Sequence, residues 1–214
     1  MPHVVLLGDS IFDNAAYTGG GPDVISQVRE FLPPGWRASL LAVDGSTTED
    51  VPQQLARLPA DATHLVLSAG GNDALMHLGL FDIAVDRVAK SLRALADIAQ
   101  DFEKKYRRTV TACLERGLPL TTCTIYNGCI PDKEFQLQAS TALMVFNDVI
   151  LRTGIEFGLP MIDLRFVCSL PEDYANPIEP SSIGGAKIAR CIVSLLTLDP
   201  TKHSAAQIIA RPVT

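Results

Sequence analysis

The sequence predicts an α/β protein in which a parallel β-sheet is covered on both faces by helices. Three observations predict it. Short, nearly continuous apolar runs recur along the chain, as in strands buried on both sides. Each run is separated from the next by a segment with room for a crossover helix. Glycine-containing turns follow the first three runs, and right-handed crossovers bring all such turns to one edge of the sheet.

The strands are expected at Val4–Leu7, Ser39–Val43, His64–Ser68, Leu120–Ile125 and Met161–Leu164. The longest helical pattern runs from Ile83 to Arg116, with Val88, Leu92, Leu95, Ala99, Phe102, Tyr106, Val110 and Cys113 at steps of three and four. Such a helix would be about 50 Å long, so it must break or project beyond the sheet. Lys104, Lys105, Arg107 and Arg108 read as its solvated face. Further helices are expected at Lys133–Phe157 and Ile183–Leu196.

With 214 residues, 47% hydrophobic and 20% charged, the chain is long enough to bury about 70% of its extended surface in one domain. No linker or repeat interrupts it, so residues 1–198 form one expected domain and 199–214 a loosely held C-terminal tail with Pro200 and Pro212. The five cysteines are odd in number and lack Cys-x-x-Cys spacing, which fits a reducing, cytoplasmic setting. No run approaches the eighteen or so apolar residues of a membrane span. A net charge of −6 argues against nucleic acid as a partner.

Gly8-Asp9-Ser10, directly behind the first strand, places a serine where open α/β sheets build their sites. The second strand ends in Asp44-Gly45-Ser46-Thr47 and the third in Gly70-Gly71-Asn72-Asp73. Singly, these read as turn glycines and a helix cap. Together they supply acyl-transfer chemistry: a nucleophile at Ser10, and oxyanion donors from the N–H groups of Ser10 and Gly45 and the amide of Asn72. Asp9 and Asp73 are expected to brace the turns.

In order and spacing these three blocks resemble those of the SGNH (GDSL-type) hydrolases, esterases and lipases. The resemblance covers nearly the whole chain. It implies a flavodoxin-like three-layer α/β/α sandwich on a five-stranded parallel sheet, and a carboxylic ester hydrolase acting on small-molecule acyl esters, acetylated sugars or lysophospholipids, with neither metal nor organic cofactor.

One block departs from the family. Its last motif reads Asp-x-x-His-Pro, with His as base and Asp orienting it; here Asn176-Pro177-Ile178-Glu179-Pro180 stands in its place. His3 and His64 begin strands at the opposite edge, His203 lies in the tail, and His77 follows Asn72 closely enough to approach the site. Glu179 with Asn176 keeps the single negative charge of a His–Asp pair, and the Asn amide is expected to donate to the Glu179 carboxylate and orient it. An ordinary Glu titrates about two pKa units below His, roughly 3 kcal/mol less driving force for taking a serine proton. Burial must supply that difference. Otherwise Glu179 is a loop residue or helix cap, and the chain binds an ester, carboxylate or carbohydrate without turning it over. Glu172 and Asp173 are further acids near the same block.

Overall fold

The computed structural model describes residues 1–197, and the expected 199–214 tail and His203 lie outside them. Five parallel strands form one sheet in the order β2-β1-β3-β4-β5: β1 His3–Gly8, β2 Arg37–Leu40, β3 His64–Ser68, β4 Leu120–Cys123 and β5 Met161–Ile162. The connections between them carry α1 Val24–Phe31, α2 Val51–Leu55, α3 Gly71–Leu75, α4 Val88–Leu114 and α5 Lys133–Phe157; α6 Leu164–Val167 and α7 Ser182–Leu196 follow β5.

Alternate β1 side chains serve opposite faces. Val4 and Leu6 pack with Val24, Val28, Ile188 and Ile192 of α1 and α7. Val5 and Leu7 pack with Leu55, Phe102, Tyr106, Val110 and Ile150 of α2, α4 and α5. A strand covered on both sides needs apolar residues at consecutive positions, and the sequence has them. The result is the three-layer α/β/α sandwich.

β2, β4 and β5 are shorter than their hydrophobic runs. β2 ends at Leu40, yet Leu41 and Ala42 still donate to the Leu6 carbonyl and Val43 to the Gly8 carbonyl, so the chain stays tied to β1 as it bends. The run Leu120–Ile125 yields strand only to Cys123, although Thr124 N–H still donates to Ile162 O. β5 stops at Ile162 because Asp163 caps α6, accepting from Arg165 N–H.

The predicted Ile83–Arg116 helix begins at Val88, because residues 83–87 are not helical and Arg87 is extended. It also projects. None of its residues before Phe102 is buried, and α5 has no buried residue before Phe146. Both are crossover helices that leave the carboxyl edge of the sheet, so their N-terminal halves stand above that edge as a pair of walls. Three of the four basic residues of the α4 cluster form ion pairs: Lys105 with Asp101 and Glu49, Arg107 with Glu103 and Glu156, and Arg108 with Glu49.

Candidate active site

The topological switch point lies between β1 and β3, where one chain crossing goes left and the next goes right. β1 ends in Gly8, and Gly70 follows the end of β3 by two residues; each has φ of +126°. A Cβ at Gly8 would run into the Ser68 carbonyl, and one at Gly70 would press on Phe102. Each glycine lets its strand turn sharply against a neighbour. Behind Gly8, the Asp9 carbonyl accepts from Phe12 and Asp13 N–H and the Asp9 side chain accepts from Ile11 N–H at 3.1 Å. Gln54 of α2 clamps Gly8 on both sides, accepting from its N–H at 2.8 Å and donating to its carbonyl at 2.7 Å. Ser10 is therefore presented from a fixed turn.

Glu179 arrives from the other side on a short loop. Tyr174 and Pro180 form an antiparallel bridge. Ala175 N–H donates to Glu179 O and Ser181 N–H to Asp173 O. The loop is held from outside by Tyr126, whose hydroxyl donates to Ile178 O at 2.6 Å, by Cys129 N–H on Pro177 O at 2.8 Å, and by Asn14 Nδ2 on Pro180 O at 3.1 Å. Asp173 beneath it is fully buried, accepts from the N–H groups of Ser169 and Leu170, and pairs with Lys187 of α7.

These two scaffolds bring the residues that matter together. Ser10 Oγ donates to Glu179 Oε1 at 3.1 Å, with Ser10 7% and Glu179 6% exposed. Glu179 Oε2 is buried and has no hydrogen-bond partner. Burial, opposed by the Ser10 bond and reinforced by Asp44, pushes the Glu179 carboxyl up to about 7. Burial likewise pushes Asp9 up to about 7, with smaller contributions from the charges of Glu179 and Asp73.

The expected amide bond from Asn176 to the Glu179 carboxylate is not made. Asn176 instead turns its Oδ1 to the backbone, accepting from the N–H groups of Ile178 and Glu179 at 2.9 Å each. This Asx turn shapes the loop that carries Glu179 and leaves the carboxylate without a donor from Asn176.

Asn72 Nδ2 donates one hydrogen to Ser46 O at 2.8 Å, which ties the third block to the second. Gly45 is exposed with φ +79°; neither its N–H nor that of Ser10 has a partner among the described residues. Asp73 braces its turn as expected, accepting from Thr48 N–H at 2.9 Å and Thr48 Oγ1 at 2.7 Å. Tyr17 hydroxyl donates to Asp44 at 2.7 Å, holding the loop that follows Ser10 and carries Gly19 and Gly20 against the first residue of the second block.

A cavity of about 610 Å³ opens over this constellation. Asp9, Ser10, Asn72, Asn176 and Glu179 line its floor, while Leu80, Phe81, Leu95, Phe135 and Phe146 contribute to apolar walls raised by the projecting halves of α4 and α5. Gly45 and Asp73 are not part of this lining. His77 lines it beside Phe146, with ring centroids 6.4 Å apart. His3 and His64 stand at the opposite edge, where β1 and β3 begin, and Glu172 is exposed outside the cavity. Among the described residues no group of three or more His, Cys, Asp or Glu side chains is placed to hold a metal ion.

A family model for the GDSL-like lipase/acylhydrolase family matches residues 6–184. The chain belongs to that family. No curated protein matches it in sequence. Among solved structures, an extracellular lipase from Streptomyces rimosus is 16% identical with a TM-score of 0.64, covering 92% of this chain and 100% of that one. The acetyl xylan esterase AlAXEase is 18% identical with a TM-score of 0.64 over 91% and 99% of the two chains. A lipolytic G-D-S-L protein from Veillonella parvula is 13% identical with a TM-score of 0.65 over 95% and 100%. At these identities the likeness establishes the SGNH hydrolase fold.

Asn14, Gln54, Tyr126 and the Asp173–Lys187 pair were not legible as site-positioning residues in the sequence. Each acts on a partner at least 14 residues away, and no local motif marks such a contact.

Proposed function

We propose that the protein is a serine ester hydrolase working through an acyl-enzyme, with Glu179 as the general base. The carrying observation is the 3.1 Å hydrogen bond from Ser10 Oγ to Glu179 Oε1 inside a largely apolar cavity. A carboxylate that receives one donor and leaves its second oxygen buried and unpartnered binds a proton more tightly than one in water. At about 7 its proton affinity matches that of an ordinary imidazole, so burial offsets the deficit of a Glu in a His position.

Catalysis in this reading starts at the Ser10–Glu179 pair. Ionised Glu179 takes the Ser10 hydroxyl proton as Oγ attacks the ester carbonyl. The oxyanion is met by the N–H of Ser10 and by the Asn72 amide hydrogen not engaged on Ser46, with the Gly45 N–H, which stands outside the cavity lining, as the third donor that the sequence blocks suggest. Protonated Glu179 then gives its proton to the departing alkoxide, leaving Ser10 acylated. Water, deprotonated by the same carboxylate, releases the acid. Asn176 acts as a positioning residue, fixing the turn on which Glu179 stands. The substrates are small-molecule acyl esters, and the unpaired cysteines support a cytoplasmic setting.

A fluorophosphonate probe tests the reading. Stoichiometric labelling of the native protein, lost in Ser10→Ala, is the expected result. Absence of labelling in folded protein would identify a ligand-binding protein that retains the pocket without the chemistry.

A further inference from the structure

The Ser10 cavity holds more negative charge than acyl transfer requires. Two carboxyls line it, Asp9 at 3% and Glu179 at 6% exposure. Each receives one side-chain hydrogen bond, Asp9 Oδ1 from Ile11 N–H and Glu179 Oε1 from Ser10 Oγ. Asp9 Oδ2 and Glu179 Oε2 are left without a hydrogen-bond partner among the described residues. No lysine or arginine is among the described residues that line the cavity, and His77 is the one lining side chain able to take up a positive charge. Lys187, below the Glu179 loop, is engaged by Asp173. The charges of Asp44, toward Glu179, and of Asp73, toward Asp9, add to the imbalance.

A buried carboxylate is relieved by a proton or by a cation. Burial, with no cation to offset it, pushes both carboxyls up to about 7, so the cavity is negative at and above neutral pH. Its walls suit a cation of low hydration. Tyr126, Phe81, Phe135 and Phe146 all line it, with Phe81 edge-on to Phe135 at a centroid separation of 5.4 Å. Ring faces attract a desolvated ammonium, and a quaternary one also fills apolar space with its methyl groups.

We propose that the cavity selects esters that carry an ammonium group within a few bonds of the scissile carbonyl, the Asp9 and Glu179 carboxylates balancing its charge and the aromatic rings packing against it. Reaction of the ester at Ser10 rests on the hydrolase reading; the cation site does not. Asp9 then sets specificity in addition to shaping the turn. The bound cation also favours ionised Glu179, the form that takes the Ser10 proton. A cation desolvated against rings and carboxylates gains roughly tenfold or more in affinity over a neutral group of the same shape.

The experiment compares kcat/KM at pH 8 within two isosteric pairs. Acetylcholine against 3,3-dimethylbutyl acetate puts the charge on the alcohol; p-nitrophenyl 4-(trimethylammonio)butanoate against p-nitrophenyl 5,5-dimethylhexanoate puts it on the acyl group. The cationic member should win at least tenfold in one pair, which also tells which side of the ester the site receives. Asp9→Asn keeps an oxygen for the Ile11 N–H and should cut that ratio at least fivefold. Phe135 lies in the half of α5 that has no buried residue, so Phe135→Leu should fold and cut the ratio at least twofold. Ratios near one in both pairs, or an unchanged ratio in either folded variant, would overturn the proposal.

A second arm needs no turnover. In calorimetric titration at pH 8, Ser10→Ala protein should bind the cationic member of at least one pair at least tenfold more tightly than its neutral isostere. Equal binding within both pairs contradicts the cation site whatever the activity. Cation-selective binding by a protein that hydrolyses no ester would preserve the site and reject the hydrolase reading alone.

Discussion

Two buried ionisable groups at opposite edges of the sheet, His3 and Glu179, are partnered in opposite ways. At the amino edge, His3 is nearly buried, yet both ring nitrogens have partners, Nδ1 with Asp61 at 3.0 Å and Nε2 with Ser39 at 2.8 Å, and its N–H donates to Thr63 Oγ1 at 2.7 Å. At the carboxyl edge, Glu179 is equally hidden but has one donor, Ser10, and a second oxygen with none. A fully paired buried group contributes to holding the fold, whereas an under-solvated carboxylate costs stability and gains basicity. The edge that carries this cost is the edge where the strand ends converge, which is why we assign the chemistry there.

The comparison can be broken by substitution. The largest effect is expected at Ser10: Ser10→Ala should lower ester hydrolysis at least about 10⁴-fold, measured as kcat/KM on a short ester. Glu179→Gln should follow with a loss of about 10²- to 10⁴-fold at pH 8. His3→Ala should lower stability by about 1–3 kcal/mol in urea denaturation and leave kcat/KM within about twofold. A large rate loss in folded His3→Ala would erase the contrast between the edges.

Stability against pH sharpens it. Glu179 and Asp9 hold their protons more tightly folded than unfolded, each raised to about 7. Their contribution is therefore fully present below the ordinary carboxylate range and is lost as pH rises toward and through 7. Glu179→Gln should be more stable than the native protein at pH 8 by roughly 1–3 kcal/mol, and the advantage should vanish near pH 4, as read from denaturation midpoints. Among the residues at the carboxyl edge the smallest loss of rate is expected for Asn176→Ala. It should lower kcat about tenfold with little change in KM, because it loosens the turn under Glu179 without touching substrate.

Much of the fold was readable because its causes are local. Consecutive apolar residues at Val4–Leu7 record burial on both faces, and Asp132 marks the start of α5 by accepting from Glu134 and Phe135 N–H. The limits of β2 and β5 were less readable, since bending at Leu41 and capping by Asp163 end strands that hydrophobicity alone would extend. The same division holds in the site. Ser10, Asn72 and Glu179 announced themselves through blocks of fixed spacing. The role of Asn176 did not, because its residue type permits both a bond to the carboxylate and a bond to the loop backbone, and the Tyr174–Pro180 turn decides between them. Asp9 was legible as a turn residue, while its near-neutral titration arises from burial beside Glu179 and Asp73, which only the assembled site creates.

The most direct measurement is the pH dependence of covalent labelling of Ser10 by a fluorophosphonate, in the native protein and in Glu179→Gln. The account predicts a labelling rate that rises with pH to a plateau with a midpoint near 7, and loss of that rise in the variant. A midpoint in the ordinary carboxylate range, or the same profile in both proteins, would contradict Glu179 as the base.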